Sequence, residues 1–248
     1  MRDLLEEWQL TPDGEPGGVV PVRTAGGRPA VLKLDAAQHE HLALQHWHGT
    51  GAVELLRADP RRSVLLLERL HPEDLSDLWD VEACEVVGAL YAQLHVPAVP
   101  QLPRLSQEVL RWTERLGEAT LPRRLVEQAT ALARDFASDE ATDGRLLHTD
   151  LHYVHVLAGD REPWLAIAPE PLSGDPHFEV APLLWHRWDE LAGDVRRGVR
   201  ARFHAVIDAA VLDEERARDW VIVRAVLRAA TDPDQVTRCV AIAKSVQD

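Results

Sequence analysis

The sequence predicts an α+β fold in two lobes, a small β-rich lobe over residues 1–70 and a mainly helical lobe over residues 71–248. Three observations carry this expectation. Short β-branched and Leu-rich runs, punctuated by Gly, Pro and Asp, fill the first part of the chain. Beyond Leu70-His71-Pro72 the apolar residues recur at helical spacing instead. The chain has 248 residues and is 46% hydrophobic, enough for one large domain or two small lobes with a packed core.

The elements follow in order. A first amphipathic helix ends near Thr11-Pro12, and the turn Asp13 to Gly18 leads into a strand over Val19 to Arg23. A second turn, Ala25 to Pro29, returns the chain along Ala30 to Leu34, so the two strands form a hairpin, and Pro21 assigns the first of them to an edge. Helical spacing from Ala36 to His48 stops at Gly49-Thr50-Gly51, and two further strands are expected near Val53 to Leu56 and Ser63 to Leu67. In the second lobe helices are expected over Leu78 to His95, Leu105 to Leu116, Leu121 to Phe136, and from Phe178 onward. Short strands within Arg145 to Asp160 and over Trp164 to Ile167 interrupt them, with Gly159 to Pro163 as a hairpin turn.

Composition excludes several functions. The formal charge of −14 opposes nucleic-acid binding, which needs clustered Lys and Arg, and makes a cationic small molecule a more natural guest. Two cysteines, Cys84 and Cys239, are too few for a disulfide framework, so a reduced, cytoplasmic protein is expected. The charged N-terminus lacks the apolar stretch of a signal peptide, and no run is long enough to cross a bilayer.

The chemistry concentrates in His148-Thr149-Asp150-Leu151-His152-Tyr153-Val154-His155, a polar loop between two apolar strands. Asp150 suits a carboxylate that orients and deprotonates an acceptor hydroxyl. With His148, His152 and His155 it also offers general acid–base groups close in sequence. Read as zinc or manganese ligands, these four match no compact spacing, and no metal site is expected. His39, His41, His46 and His48 read as a solvated helix face. Of the eight tryptophans, most read as core, with an aromatic wall beside the site able to hold an apolar or cationic guest.

Four segments resemble the aminoglycoside and hydroxyurea phosphotransferase family, in particular its streptomycin 6-kinase-like branch: His39 to Gly49, Leu65 to Leu75, Leu146 to Leu191, and Thr237 to Asp248. The resemblance implies a protein-kinase-like, aminoglycoside-phosphotransferase-type fold, with a small antiparallel sheet in the first lobe. It makes Lys33 the strand lysine that touches nucleotide phosphates, Glu40 its helix partner, Glu68 to Leu70 the hinge beside adenine, and Asp150 the catalytic base. Without it, Lys33 reads equally as the solvent side of a strand and Glu40 as an exposed helix charge. Gly174-Asp175-Pro176 matches the family's turn that supports the catalytic loop.

The chain departs from the family pattern at two positions that would bind magnesium: an Asn is His155 here and an Asp is Ala168, while a following Lys is Glu170. Neither an imidazole nor a methyl supplies the oxygen that magnesium prefers. The nucleotide-covering hairpin from Asp13 to Val20 is also short. The expectation is therefore a degenerate member that has lost magnesium-ATP phosphoryl transfer and needs no cofactor. Its cleft would be reused for small-molecule binding or acid–base catalysis in bacterial specialised metabolism, with Asp175, Glu170 and Trp185 touching the guest. Two alternatives stand beside it: an active ATP- and magnesium-dependent phosphotransferase acting on a hydroxyl of an aminoglycoside-like molecule, and a partner-binding pseudokinase.

Overall fold

The computed structural model describes residues 1–117, 120–191 and 193–247. The first lobe begins with helix α1 (Arg2–Glu7), strands β1 (Thr11–Pro12), β2 (Val20–Arg23) and β3 (Pro29–Lys33), helix α2 (Glu40–Trp47), and strands β4 (Leu55–Asp59) and β5 (Val64–Glu68). The strands form one antiparallel sheet in the order β1-β2-β3-β5-β4. β5 lies inside the sheet, and Val64, Leu65, Leu66 and Leu67 are all buried, which is why it reads as an unbroken apolar run. Alternation then sorts the side chains. Ala30, Leu32, Val64 and Leu66 pack outward under Leu4 and Trp8 of α1, whereas Leu65 and Leu67 join Ala43, Leu44 and Trp47 of α2 in the main core.

The sheet departs from expectation at Pro21. The strand containing it is not at the edge, because β1 pairs outside it, but that pairing reaches only Val22 and Arg23. Pro21 sits just beyond the last paired residue, and its carbonyl still accepts from Asp13 N–H at 2.9 Å, so the missing N–H costs no ladder bond there.

The second lobe contains α3 (Asp80–Leu94), α4 (Leu105–Leu116), α5 (Arg123–Ser138), β6 (Arg145–Leu147), β7 (Val156–Ala158), β8 (Trp164–Ala166), β9 (Leu172–Gly174), α6 (Ala181–Trp185), α7 (Val195–Ala210), α8 (Glu214–Thr231) and α9 (Val236–Gln247). β7 pairs with β8 in the expected hairpin, and β6 pairs with β9. Helix α3 meets α7 closely through Gly88, where an added Cβ would lie 2.7 Å from the Ala209 Cβ. The two short ladders hold the polar loop between them, with β6 entering it and β7 leaving. This is a two-lobed kinase-like α+β fold. No helix among the described residues is long and apolar enough to cross a membrane.

Candidate active site

Two cavities bear on the chemistry, one between the lobes and one at the polar loop. The first, about 540 Å³, lies between the lobes, with Val31, Val53, Leu67, Leu157 and Ile167 as apolar walls. Lys33 and Glu40 line it, as do Glu68 and Leu70. Lys33 Nζ lies 2.8 Å from both Glu40 carboxylate oxygens, and the Glu40 side chain is fully buried. Glu40 stands in the first turn of α2, where the helix dipole favours an anion, and it also accepts from Ala37 N–H at 2.9 Å. A buried ion pair of this kind holds the lysine ammonium at a fixed point of the cleft. Glu68 is engaged on its rim, accepting from Glu54 N–H and from Arg161, each at 2.8 Å.

The second cavity, about 460 Å³, is lined by Asp150 and Thr149 together with Glu108, Glu170, Trp112 and Arg224. Trp112 stacks on Phe178 with ring centroids 5.8 Å apart, giving the aromatic wall expected from the tryptophan content. Three carboxylates against one guanidinium make the cavity acidic. A larger depression of about 600 Å³ lies on α5, α8 and α9, away from the loop.

The loop between β6 and β7 is fixed from beneath. Thr149 adopts φ 71°, a left-handed conformation that a threonine holds only when its surroundings enforce it. Its N–H donates to the fully buried Glu179 carboxylate at 2.5 Å, its hydroxyl to Glu170 O at 2.8 Å, and its carbonyl accepts from Arg224 at 3.3 Å. Glu179 in turn pairs with His95 at 2.6 Å. Burial pulls Arg224 down to about 10, still well above neutrality, so a cation sits behind Asp150. Burial pushes the Asp150 carboxyl up, but His152, His155 and Arg224 together outweigh it and hold it below the usual aspartate range. Asp150 is therefore ionised and half-exposed at the mouth of the second cavity, as a proton-accepting carboxylate must be.

The histidines divide. His148 is fully buried and donates from Nε2 to Ile167 O at 2.8 Å, tying the start of the loop to the end of β8; burial lowers its pKa to about 4, so it stays neutral. His155 donates from Nδ1 to Asp150 O at 2.7 Å and braces the loop across its own turn. His152 is buried and stacks on His186 with centroids 3.6 Å apart. Asp175 and Trp185, expected against the guest, line neither cavity. The Asp175 side chain is 2% exposed and accepts from Arg216, Trp220 and His177, so it supports the loop from behind. Trp185 is buried beneath Arg224 and Arg228. Glu170 does line the second cavity.

Sequence reasoning passed over Glu108, Glu179, His186, Arg202 and Arg224. Each comes from a helix or turn distant in sequence from the loop, and only the packing of the second lobe brings it near. Glu179, three residues after a recognisable Ser-Gly-Asp-Pro turn, was the one with a local signal.

Residues 2–235 match the aminoglycoside/hydroxyurea antibiotic resistance kinase family. The chain belongs to that family. Among its relatives, a streptomycin 6-kinase from Streptomyces glaucescens is 41% identical over 94% of this chain and 81% of its own length. A hydroxyurea phosphotransferase from Kitasatospora aureofaciens is 39% identical over 91% of this chain and 70% of its own. In fold, the family member is similar to an aminoglycoside phosphotransferase crystallised with ADP and hygromycin B, at a TM-score of 0.60 and 18% identity over 98% of this chain and 97% of that one.

These relatives correct four expectations. Proteins about 40% identical over most of the chain carry the names of kinases and phosphotransferases, which overturns loss of phosphoryl transfer, a pseudokinase role and a repurposed cleft. It also overturns the absence of a cofactor, since enzymes of this class work on a magnesium-bound nucleotide. The physical error lay in weighing two positions too heavily. Magnesium keeps several waters and rides on substrate phosphates, so one or two protein carboxylates suffice. Ala168 lines the interlobe cavity with a methyl, and His155 turns an N–H rather than a lone pair toward the Asp150 carbonyl. Asp150 and Glu170 share the second cavity and offer carboxylate oxygens there.

Proposed function

We propose that this protein is an ATP-dependent phosphotransferase that phosphorylates a hydroxyl of an aminoglycoside-like small molecule. The observation that carries the reading is the closed Lys33–Glu40 pair in the interlobe cleft, together with the ionised Asp150 in the second cavity. Lys33 binds the nucleotide phosphates, Glu40 keeps its ammonium in place, and the segment Glu68 to Leu70 borders the adenine against the apolar walls. Asp150 orients the acceptor hydroxyl and takes its proton as the phosphoryl group leaves the nucleotide. Magnesium, when bound, neutralises charge on the transferring group, with Asp150 and Glu170 as its protein donors. The acidic cavity bearing Glu108 and Glu170 suits a cationic acceptor, and Trp112 offers it a flat apolar face. Reduced, buried Cys84 and Cys239 and the need for ATP support a cytoplasmic setting in a bacterium with specialised metabolism.

The test is transfer of labelled γ-phosphate from ATP to streptomycin and related aminocyclitols in the presence of magnesium. Asp150→Asn lowers kcat by about 10² to 10⁴, the usual worth of a positioned general base. If no acceptor is phosphorylated and ATP gives no magnesium-dependent thermal stabilisation, the reading fails.

A further inference from the structure

The side chain stacked on His152 belongs to neither the nucleotide cavity nor the acceptor cavity. His186 follows α6, 34 residues beyond His152, yet its ring lies 3.6 Å from the His152 ring. Asp150 Oδ2 lies 3.6 Å from His152 Nε2. One ligand atom from each of Asp150, His152 and His186 falls within 4.8 Å of the others. Two ligands bound at about 2.0–2.1 Å to a tetrahedral ion stand roughly 3.4 Å apart, so the carboxylate–imidazole spacing is already close to that of a filled site.

A second observation concerns the rings themselves. The His152 side chain is 8% exposed, and its Nε2 faces Asp150 Oδ2 at 3.6 Å. His186, half-buried, brings a ring nitrogen within 4.8 Å of the same carboxylate. The main chain around them is fixed. Arg202, fully buried and bound to Asp80 at 2.8 Å, donates to His186 O at 2.7 Å and Arg187 O at 3.1 Å. On the other side His155 holds the Asp150 carbonyl. Such support is what a metal site needs around its ligands.

We propose that Asp150, His152 and His186 form a binding site for a borderline divalent transition-metal ion of the zinc class. Two imidazoles and a carboxylate suit Zn²⁺, Co²⁺ or Ni²⁺ and disfavour magnesium, which wants an all-oxygen octahedron. Three protein ligands leave a fourth position open to water, so the ion exchanges. The site shares Asp150 with the magnesium carried by the nucleotide but takes its other two ligands, His152 and His186, from outside both cavities. Because the ion takes Asp150 Oδ2, its occupancy removes the proton acceptor and inhibits transfer. That last consequence rests on the kinase reading, whereas the binding itself does not.

The experiment titrates Co²⁺ into the chelator-treated full chain, without nucleotide or acceptor, and follows visible d–d absorption. One equivalent develops an intense band, excess magnesium leaves it in place, and Zn²⁺ displaces it. His186→Ala, His186→Gln and His152→Ala each weaken the affinity at least about 10- to 100-fold, the range lost when even a supporting group of a metal site is removed. The surface variant His46→Ala with His48→Ala does not. A wild-type chain that shows no band at stoichiometric cobalt overturns the proposal, as does a band of unchanged affinity in both the His152 and His186 variants. Failure of phosphotransfer leaves these readings untouched, so the two hypotheses fail separately.

Discussion

His148 shows how one buried side chain sets a pH limit. Its Nδ1 is buried without a partner while Nε2–H serves Ile167, so a second proton would be a charge with no acceptor. Its folded pKa of about 4 lies below the ordinary value of 6.5. The unfolded chain therefore binds more protons between these limits, and stability present above pH 6.5 is lost as pH falls toward 4. The full shift is worth on the order of 3 kcal/mol. Thermal unfolding measured from pH 7 to 4 should decline steeply in the wild type and less steeply in His148→Asn. Asp150 was legible in the sequence as the carboxylate of a polar loop between apolar strands, and Lys33 only through the family resemblance. His186 and Arg224 were not, since their nearness to Asp150 follows from helix packing that no local pattern encodes. Ala168 was legible as a substitution only; its φ of 55°, costly for alanine, emerged from the backbone.

At the scale of elements, close approach decides what the lobes tolerate. Helices α3 and α7 touch where Gly88 leaves room for the Ala209 Cβ and, 2.8 Å from an added Cβ, the Val206 carbonyl. Backbone cannot yield as a flexible side chain can. Gly88→Ala should destabilise the protein by about 1–3 kcal/mol despite alanine's better helix propensity, as read from denaturant midpoints. The hairpins β2–β3 and β7–β8 could be read from alternation and turn residues because their partners are adjacent in sequence. β9 could not. It is three residues long and pairs with β6 across the whole polar loop, so its existence depends on a non-local contact. α6 was folded into a longer helix by its apolar spacing, yet it ends at Trp185, after which His186 is extended.

Across the whole molecule, the lobes are joined by more than the chain. Arg161, in the β7–β8 turn of the second lobe, donates to Gly49 O and to Ala52 O at 3.0 Å and pairs with Glu68 at 2.8 Å. It thus reaches the end of α2 and the rim of the nucleotide cavity together. Arg161→Ala should raise KM for ATP several-fold while leaving kcat nearly unchanged, measured by steady-state kinetics with acceptor saturating. Glu40, in the same helix whose end Arg161 grips, holds Lys33. Any swing that parts the lobes must therefore break the Arg161 bonds or carry α2 along with the rear lobe. Opening of the interlobe cleft would then be a pivot about a pinned corner.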